Sequence, residues 1–310
     1  MPQGYAIVVG QQPSRSMAWL VQALESALQR SGWATAEPED ATLILNLIDP
    51  DKPKPFRRHA RGTYVAALYE ASLADEEVLA ASYPLLVRSL SNIVLCHTGR
   101  GVWFTTMERG VYRVSPTGSS TLGDAVAEHL LPIAGARLVI DNEFRSDLEP
   151  ELWDGDELTE QIREAGSAID RLGLLPAPFP IEDMLDEQDL RHVKRLYGIG
   201  GLSYGNLSAR KDERRFWMSA SGVDKSRLEV PGRDILLVSD YHADRGVIVL
   251  SVPPAIDPRR VSVDAIEHWM IYQAHPDVGA ILHVHAWIDD IQSTQFNYPC
   301  GSEELALSVA

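Results

Sequence analysis

The chain has 310 residues, which is enough for two domains that each bury a core. Its 44 acidic and 28 basic residues give a formal net charge of −16, which argues against nucleic acid or an anionic membrane as the main partner. With only two cysteines, Cys96 and Cys300, a disulfide framework is not indicated. The N-terminus lacks a signal-peptide pattern, and no apolar run approaches the roughly 18 residues of a membrane span. We therefore expect a cytoplasmic protein.

Strands and helices alternate over the first 135 or so residues. Apolar runs predict strands at 5–9, 42–47, 62–68, 91–96, 102–107 and 110–114, with helices at 17–29, 79–90 and 122–131. Pro84 is expected to begin or kink the second helix. The pattern predicts a Rossmann-like, three-layer α/β domain over residues 1–135. It lacks a G-x-G-x-x-G loop, so dinucleotide binding is only weakly indicated, and a role in assembly or regulation is favoured.

The polar, acidic stretch at residues 136–155 is predicted to be a linker to a second domain, at 156–310. Residues 157–172 and 183–197 have the patterns of helices, and the Pro-rich segment 174–180 between them cannot be helical.

Two loops of small residues follow the second of these helices. The first reads GGLSYGNLS at 200–208, and the second reads SASG at 219–222. Such loops expose backbone N–H groups and hydroxyls that can hold a phosphate, although neither is a Walker A sequence. Taken singly, each loop is more typical of an ordinary turn than of a phosphate site.

Residues 262–287 predict a helix, a turn and a strand. Ser262 is the expected N-cap, with Asp264 in the first turn, and the helix ends before Pro276. A carboxylate in the first turn can simply offset the helix macrodipole. This order of elements could also bring Asp264 to the same side as the histidines of the strand.

His283 and His285 form a His-x-His pair on that strand. Successive side chains of a strand point to opposite faces, so both imidazoles share one face, and Leu282 and Val284 are expected to enter a core on the other. Two imidazoles on one surface are a good beginning for a divalent metal site. The alternative is two histidines on a half-exposed strand with no metal.

Together these motifs are more specific. The order Gly-Asn-Leu-Ser, Ser-Ala-Ser-Gly-Val, Ser-Val-Asp and His-Val-His over residues 185–310 resembles the class II aldolase/adducin family. The resemblance implies an αβα domain on a mainly antiparallel sheet, with zinc, or Mn²⁺ or another divalent ion, held by His283 and His285. It also implies that the substrate phosphate is bound by Gly205, Asn206, Ser208, Ser221 and Gly222.

The identity of residue 264 bears on the chemistry that the resemblance implies. The aldolases of the family have a Glu there as acid/base, whereas the 4-epimerase has an Asp that ligates the metal, and this chain has Asp264. We favour ligation by Asp264, with proton transfer by its carboxylate as the alternative.

The implied function is that of a metal-dependent aldolase or epimerase acting on a phosphorylated sugar or hydroxyketone through an enediolate. The alternative is a non-catalytic, adducin-like domain for assembly. We also expect a homo-oligomer.

The family's third zinc histidine has no counterpart between His285 and Ala310. We therefore expect the second domain to be incomplete at its C-terminal end, or His268 or His275 to replace the missing ligand. Ser302 is a fitting N-cap for a further helix at the end of the chain.

Overall fold

The structure is a computed structural model. It describes residues 3–10, 12–60, 62–107, 109–118, 120–171, 179–197, 205–284 and 291–310. The chain divides into two compact units. The first consists of Met1–Gly135 and Ala177–Val193, and the second consists of Ala136–Pro176 and Lys194–Ala310. The protein is thus a mixed α/β chain with one sheet in each unit. Within the described ranges, we find no helix with the length and apolar character needed to cross a membrane.

The first unit contains a seven-stranded sheet in the order β2-β1-β3-β4-β5-β6-β7. Its strands are β1 (Gly4–Val9), β2 (Ala34–Thr35), β3 (Leu43–Leu47), β4 (Tyr64–Glu70), β5 (Ile93–His97), β6 (Val102–Thr106) and β7 (Gly110–Val114). The first five strands are mutually parallel, and β6 and β7 are added antiparallel. Every residue of β3 and β5 is buried, which is typical of parallel strands covered on both faces.

Three helices of this unit match the predicted elements. Helices α1 (Arg15–Arg30) and α2 (Val78–Arg88) connect strands of the sheet, and α3 (Leu122–Ala134) follows β7. Helix α1 begins at Ser14, whose hydroxyl accepts from the backbone N–H of Met17. Pro84 lies inside α2, and the prediction that it begins the helix is wrong. Six of the eleven residues of α2 are buried, so tertiary packing offsets the backbone hydrogen bond that proline cannot donate.

The second unit contains a six-stranded sheet in the order β13-β9-β10-β11-β12-β8. The strands are β8 (Asp141–Arg145), β9 (Gly205–Arg210), β10 (Phe216–Ser219), β11 (Ile235–His242), β12 (Val247–Ser251) and β13 (Ala280–Val284). All neighbours pair antiparallel except β12 and β8. The described helices after β8 are α4 (Glu157–Asp170), α5 (Glu187–Tyr197), α6 (Ala265–Ala274) and α7 (Glu303–Val309), and most of α5, up to Val193, belongs to the first unit. Ser302 caps α7 as predicted, and its hydroxyl accepts from Leu305 N–H.

Strand β8 lies inside the stretch 136–155, which was expected to be a linker. Its five residues pair with Val247–Ser251 of β12. The sequence DNEFR lacks the apolar pattern from which strands are predicted. Its polar and charged side chains are tolerated because β8 is an edge strand. The predicted Pro-rich segment 174–180 lies mostly outside the described residues.

Helix α6 starts two residues later than predicted. Asp264 is its N-cap residue, with φ −74° and ψ 9°, and its side chain makes no capping hydrogen bond. The prediction of Ser262 as N-cap is therefore wrong. Its hydroxyl donates to the Asp264 carboxylate and accepts from Asn206 Nδ2, so it is engaged by side chains of the site. The Asp264 side chain is thereby available for the contacts described below.

The turn from α6 to β13 is fixed by Arg210 at the end of β9. Its guanidinium donates to the carbonyl oxygens of Tyr272, His275 and Val278, at 2.9, 2.8 and 2.7 Å. Strand β13 is an edge strand of the sheet, and Leu282 is 55% exposed. The expectation that Leu282 enters a core is wrong, because residues at a sheet edge have neighbours on one side alone.

Gly205 allows β13 to approach β9 at the point where His283 lies. Its φ is +130°, and an added Cβ would overlap the carbonyl oxygen of His283. We expect Gly205→Ala to reduce the free energy of unfolding by about 2 to 4 kcal/mol, from backbone strain and overpacking together. Chemical denaturation measures this change.

Gly279→Ala is the matched control, since nothing lies within 4 Å of a Cβ at Gly279, one residue before β13. Its free energy of unfolding should stay within about 0.5 kcal/mol of the parent. Equal effects of the two substitutions would contradict a specific steric role for Gly205.

Candidate active site

Strand β9 presents polar side chains to one face of its sheet. Asn206 and Ser208 alternate with the apolar Leu207, which is buried in the core of the unit. Asn206 is directly opposite His283 in the pairing of β9 with β13, so these two side chains share the face. Both polar residues of β9 contact side chains at or in helix α6.

Asp264 is the centre of the first group of contacts. Its side chain is buried, with 5% of the residue exposed. One carboxylate oxygen, Oδ2, accepts from Asn206 Nδ2 at 2.6 Å and from Ser262 Oγ at 3.2 Å. The same oxygen lies 3.8 Å from His283 Nε2. The structure therefore brings together three of the predicted site residues, namely Asn206, Asp264 and His283.

Ser208 is the centre of a second group. Its hydroxyl lies 2.7 Å from His268 Nδ1 and 2.8 Å from the hydroxyl of Tyr272. Burial lowers the pKa of His268 to about 3 and raises the pKa of Tyr272 to about 12, so both are neutral at pH 7. This neutral network holds α6 against β9. Ser208 was predicted to contact phosphate, and its hydroxyl is here engaged with two buried side chains.

The donors around Asp264 fit a divalent ion as far as they are described. Two atoms that each lie about 2.0–2.1 Å from one zinc ion are separated by at most about 4.2 Å. The 3.8 Å between Asp264 Oδ2 and His283 Nε2 shows that the carboxylate group as a whole lies close enough to the imidazole for both to hold one ion. Asp264 Oδ1 is buried and has no hydrogen-bond partner among the described residues. A buried carboxylate oxygen without a partner is costly, and a bound cation would compensate for it.

The remaining predicted ligand, His285, lies outside the described residues. Across the described ranges, no group of three or more His, Cys, Asp or Glu side chains is arranged to hold a metal ion. His275, one proposed substitute ligand, has its Nε2 atom 2.7 Å from the carbonyl oxygen of Ala310. His268, the other, has its Nδ1 atom engaged with Ser208.

The second small-residue loop remains open to a ligand. Ser221 and Gly222 are both exposed, and Gly222 has a φ of +66° with nothing within 4 Å of a Cβ position. The Ser221 backbone N–H donates to the carbonyl oxygen of Arg260 at 2.8 Å. The two residues thus form an accessible turn with a free approach to Gly222.

Lys225, which the sequence analysis did not single out, lies directly beneath this loop. It is 4% exposed, and its ammonium donates to the carbonyl oxygens of Ala220 and Val223 at 2.9 and 3.3 Å. Burial lowers its pKa to about 8, although the charges of Asp264 and Asp224 oppose that shift. A single Lys in a turn normally indicates a solvated side chain, and nothing in the local sequence indicates its burial.

Glu267, on the first turn of α6, is a second buried ionisable residue that was missed. Its Oε1 atom accepts from the Gly301 N–H at 2.8 Å. Burial, together with the nearby charge of Asp264, raises the pKa of Glu267 to about 8. The side chain is thus mainly protonated at neutral pH, which limits the negative charge around Asp264.

One segment of the chain matches a known family. Residues 191–288, which include Asn206, Asp264 and His283, match the family model of the class II aldolase and adducin N-terminal domain. The predicted resemblance to this family is therefore confirmed for that segment.

The chain is similar to methylthioribulose-1-phosphate dehydratases. With the enzyme of Pseudomonas aeruginosa it shares 31% identity over 106 residues, 34% of this chain and 46% of that one. With the enzyme of Leptospira biflexa it shares 32% over 122 residues, 38% and 52% of the two chains. The chain spans about half the length of these curated relatives.

Two solved structures show a more distant likeness. L-fuculose 1-phosphate aldolase has 18% identity and a TM-score of 0.27, over 43% of this chain and 45% of that one. YgbL from Klebsiella pneumoniae has 16% identity and a TM-score of 0.31, over 50% and 69% of the two chains.

The raised pKa of Glu267 predicts a specific pH dependence of stability. The folded protein keeps this proton up to about pH 8, whereas the carboxyl group has an ordinary pKa of 4.5. Between these values the folded state binds more protons, so the free energy of unfolding falls as the pH rises. Glu267→Gln should remove this contribution to the slope, because Gln still accepts from Gly301 and does not titrate. Denaturant unfolding at pH 5 to 8 in the presence of a chelator tests this.

The exposed Glu164 offers the control substitution Glu164→Gln, which should leave the slope unchanged. A Glu267→Gln protein with the parent's slope would show that Glu267 does not carry the proton in the folded state.

Proposed function

We propose that the second unit is the metal-dependent, sugar-phosphate-binding part of a lyase. The observation that carries the proposal is the buried Asp264 carboxylate, which Asn206 and Ser262 orient and which lies 3.8 Å from His283. One oxygen of this carboxylate is fully paired, and the other has no partner among the described residues. An acid/base residue and a metal ligand both need an accessible oxygen, but the adjacent imidazole favours ligation.

We further propose that Asp264, His283 and His285 together hold a zinc ion, or Mn²⁺ or another divalent ion. Three protein ligands leave a zinc ion one open position for substrate. The ion would supply Lewis-acid polarisation of a substrate carbonyl oxygen. Asn206 and Ser262 donate to Asp264 Oδ2, and through these bonds they orient the carboxylate.

The phosphate of the substrate is proposed to bind at the 219–222 loop, and Gly205 and Asn206 are proposed to contribute to the same site, as the resemblance implies. The exposed Ser221 and Gly222 support this placement, because a hydroxyl and open backbone can approach a phosphate there. The buried ammonium of Lys225, held by two carbonyl oxygens of the same loop, adds positive charge below it.

Dehydration of a phosphorylated hydroxyketone is our preferred reaction, because the matched relatives are named methylthioribulose-1-phosphate dehydratases. In such a reaction a base removes a proton from the carbon beside the carbonyl. The hydroxyl on the next carbon then leaves with a proton as water. Aldol cleavage and epimerisation, which the sequence also indicated, begin at the same carbonyl and are distinguished by the experiment below.

For the first unit we propose a Rossmann-like, three-layer α/β domain in the broad, doubly wound sense, because its five parallel strands have the flavodoxin-like order β2-β1-β3-β4-β5. We also keep as proposals the limits of the two domains at residues 1–135 and 156–310, a homo-oligomer and a cytoplasmic location.

Metal content is the first test of the proposed site. Purified protein supplied with zinc or manganese should contain about one ion per chain by elemental analysis, and His283→Ala should weaken metal binding at least tenfold. His275→Ala is the control, because the ring of His275 contacts the carbonyl oxygen of Ala310 instead. A content below about 0.1 ion per chain in the supplied parent protein would favour the adducin-like scaffold.

Asp264→Asn separates the two roles of the carboxylate. If Asp264 is a ligand, the neutral amide should reduce metal affinity together with turnover. If it is the acid/base, metal content should persist while turnover is lost, because an amide does not exchange a proton at neutral pH. Metal and turnover that both persist, with a stability loss of about 0.3–1 kcal/mol, would leave Asp264 only a helix-dipole role.

The reaction itself is tested with methylthioribulose 1-phosphate and the metal-loaded protein. We expect a phosphorylated product that is lighter by one water in mass spectrometry. Two smaller fragments would indicate aldol cleavage instead, and unchanged mass with altered stereochemistry would indicate epimerisation. Ser221→Ala should raise KM about tenfold with little change in kcat, because it removes a hydrogen bond to the non-reacting phosphate. Ser308→Ala, at an exposed position of α7, is the control. Unaltered substrate in the presence of bound metal would contradict the proposal.

A further inference from the structure

A cavity of about 260 Å³ lies in the first unit, separate from the residues of the proposed lyase site. Residues that surround it come from the loop after β1, the first turn of α1, and the ends of β3 and β4: Gln12, Pro13, Ser14, Met17, Leu47, Ile48, Leu68, Tyr69 and Glu70. Its volume is close to the lower end of the range of about 300–1,000 Å³ that is typical of small-molecule sites.

The position of the cavity follows from the topology of the sheet. From β1 the chain passes through α1 to β2 on one side, and from β3 it continues to β4 on the other. Strands β1 and β3 are neighbours, so their carboxyl ends form a topological switch point. Ligands of open α/β sheets bind in the crevice outside the carboxyl ends of strands at such a point.

Glu70, the last residue of β4, supplies a charge to the cavity. Its two carboxylate oxygens accept hydrogen bonds from the hydroxyls of Ser14 and Ser16, at the start of α1. These bonds lower the pKa of Glu70, so the carboxylate is ionised at neutral pH. Part of the side chain remains exposed. Each carboxylate oxygen accepts more than one hydrogen bond, so both can still receive donors from a ligand.

His97 lies next to the Glu70 carboxylate on the side of the protein interior. It pairs with Glu70 across β4 and β5, is 6% exposed, and has its Nδ1 atom 3.7 Å from Glu70 Oε1. Among the described residues this nitrogen has no hydrogen-bond partner. The buried imidazole lies directly behind the partly exposed carboxylate, so Glu70 belongs to a built polar feature and is not an isolated surface acid.

The charge of Glu70 determines which ligands fit. The start of α1, where an anion would otherwise bind, is already occupied by this carboxylate, so a phosphate there would face a like charge. Ligand hydroxyls, in contrast, would donate to the carboxylate in charge-assisted bonds. Met17, Leu47 and Leu68 form an apolar wall in a lining whose exposed surface is otherwise mainly polar, and a flat, weakly polar group can lie against this wall.

We propose that this cavity binds an uncharged nucleoside, whose two adjacent ribose hydroxyls donate to the Glu70 carboxylate and whose base lies against the apolar wall. A carboxylate at the end of a strand that binds ribose hydroxyls is a known solution in open α/β sheets. Nucleotides with a phosphate near Glu70 are disfavoured. Nucleoside binding at the first unit would make it a ligand-sensing part of the protein.

Titration calorimetry with adenosine, 2′,3′-dideoxyadenosine and AMP on the intact chain tests the proposal. Adenosine should bind saturably. Dideoxyadenosine should bind at least tenfold more weakly because it lacks both hydroxyls, and AMP should bind more weakly than adenosine because of its phosphate. Glu70→Gln should weaken adenosine binding at least fivefold and reduce the difference between adenosine and AMP. Glu76→Gln, at an exposed position of the same unit, is the control and should bind adenosine as the parent does.

Lack of saturable adenosine binding at millimolar concentration would overturn the proposal. Equal affinities for adenosine and dideoxyadenosine would also overturn the proposal. This comparison uses the parent protein alone, so it remains valid even if Glu70→Gln fails to fold. Unchanged binding in a folded Glu70→Gln protein would place the nucleoside elsewhere. His283→Ala should leave adenosine binding unaltered, so the result is independent of the proposed metal site.

Discussion

The hydrogen bond from Asn206 to Asp264 is the contact on which the proposed lyase site depends. At 2.6 Å and fully buried, it joins the second residue of β9 to the residue that begins α6. A charge-assisted bond of this kind is stronger than a neutral one, and the two elements that it joins are 58 residues apart in sequence. Its position determines which carboxylate oxygen is covered and which one is left for a cation or a proton. The other contacts of α6, including the Ser208 network, hold the helix in the orientation that this bond requires.

Charge balance in this part of the protein is achieved by burial as much as by pairing. Glu267 stays protonated and His268 stays neutral at pH 7, so Asp264 is the main negative charge at the start of α6. Among the described residues, the Lys225 ammonium and the His283 imidazole are basic groups that act on it. A buried carboxylate has a strong preference for a cation, because little water is present to screen its charge. This preference is the physical basis of the proposed metal site.

Sequence patterns indicated candidate residues of this site, but they did not indicate the buried charged residues around them. The order helix, turn and strand over residues 262–287 favoured Asp264 and His283 on one side, and strand alternation, which is a local property, fixed the face on which His283 lies. The burial of Lys225 and Glu267 depends on segments distant in sequence, so local patterns could not show it. The same limitation explains the acidic strand β8, whose residues are typical of a loop and whose pairing with β12 is a tertiary property.

Asp264 and Glu70 are both carboxylates, and the functions proposed for them differ because their surroundings differ. Asp264 has one oxygen engaged by two donors and the other without a partner, inside a low-dielectric interior. Such a carboxylate gains most from a bound cation, since a neutral donor would satisfy its hydrogen-bonding capacity but not its charge. Glu70 has a hydroxyl on each oxygen and remains partly exposed, so water already screens its charge. The gain that remains for Glu70 is directional, from hydroxyls that complete its hydrogen bonds at fixed positions. Burial and the number of donors, more than the type of side chain, therefore distinguish a metal ligand from a hydroxyl acceptor in this chain.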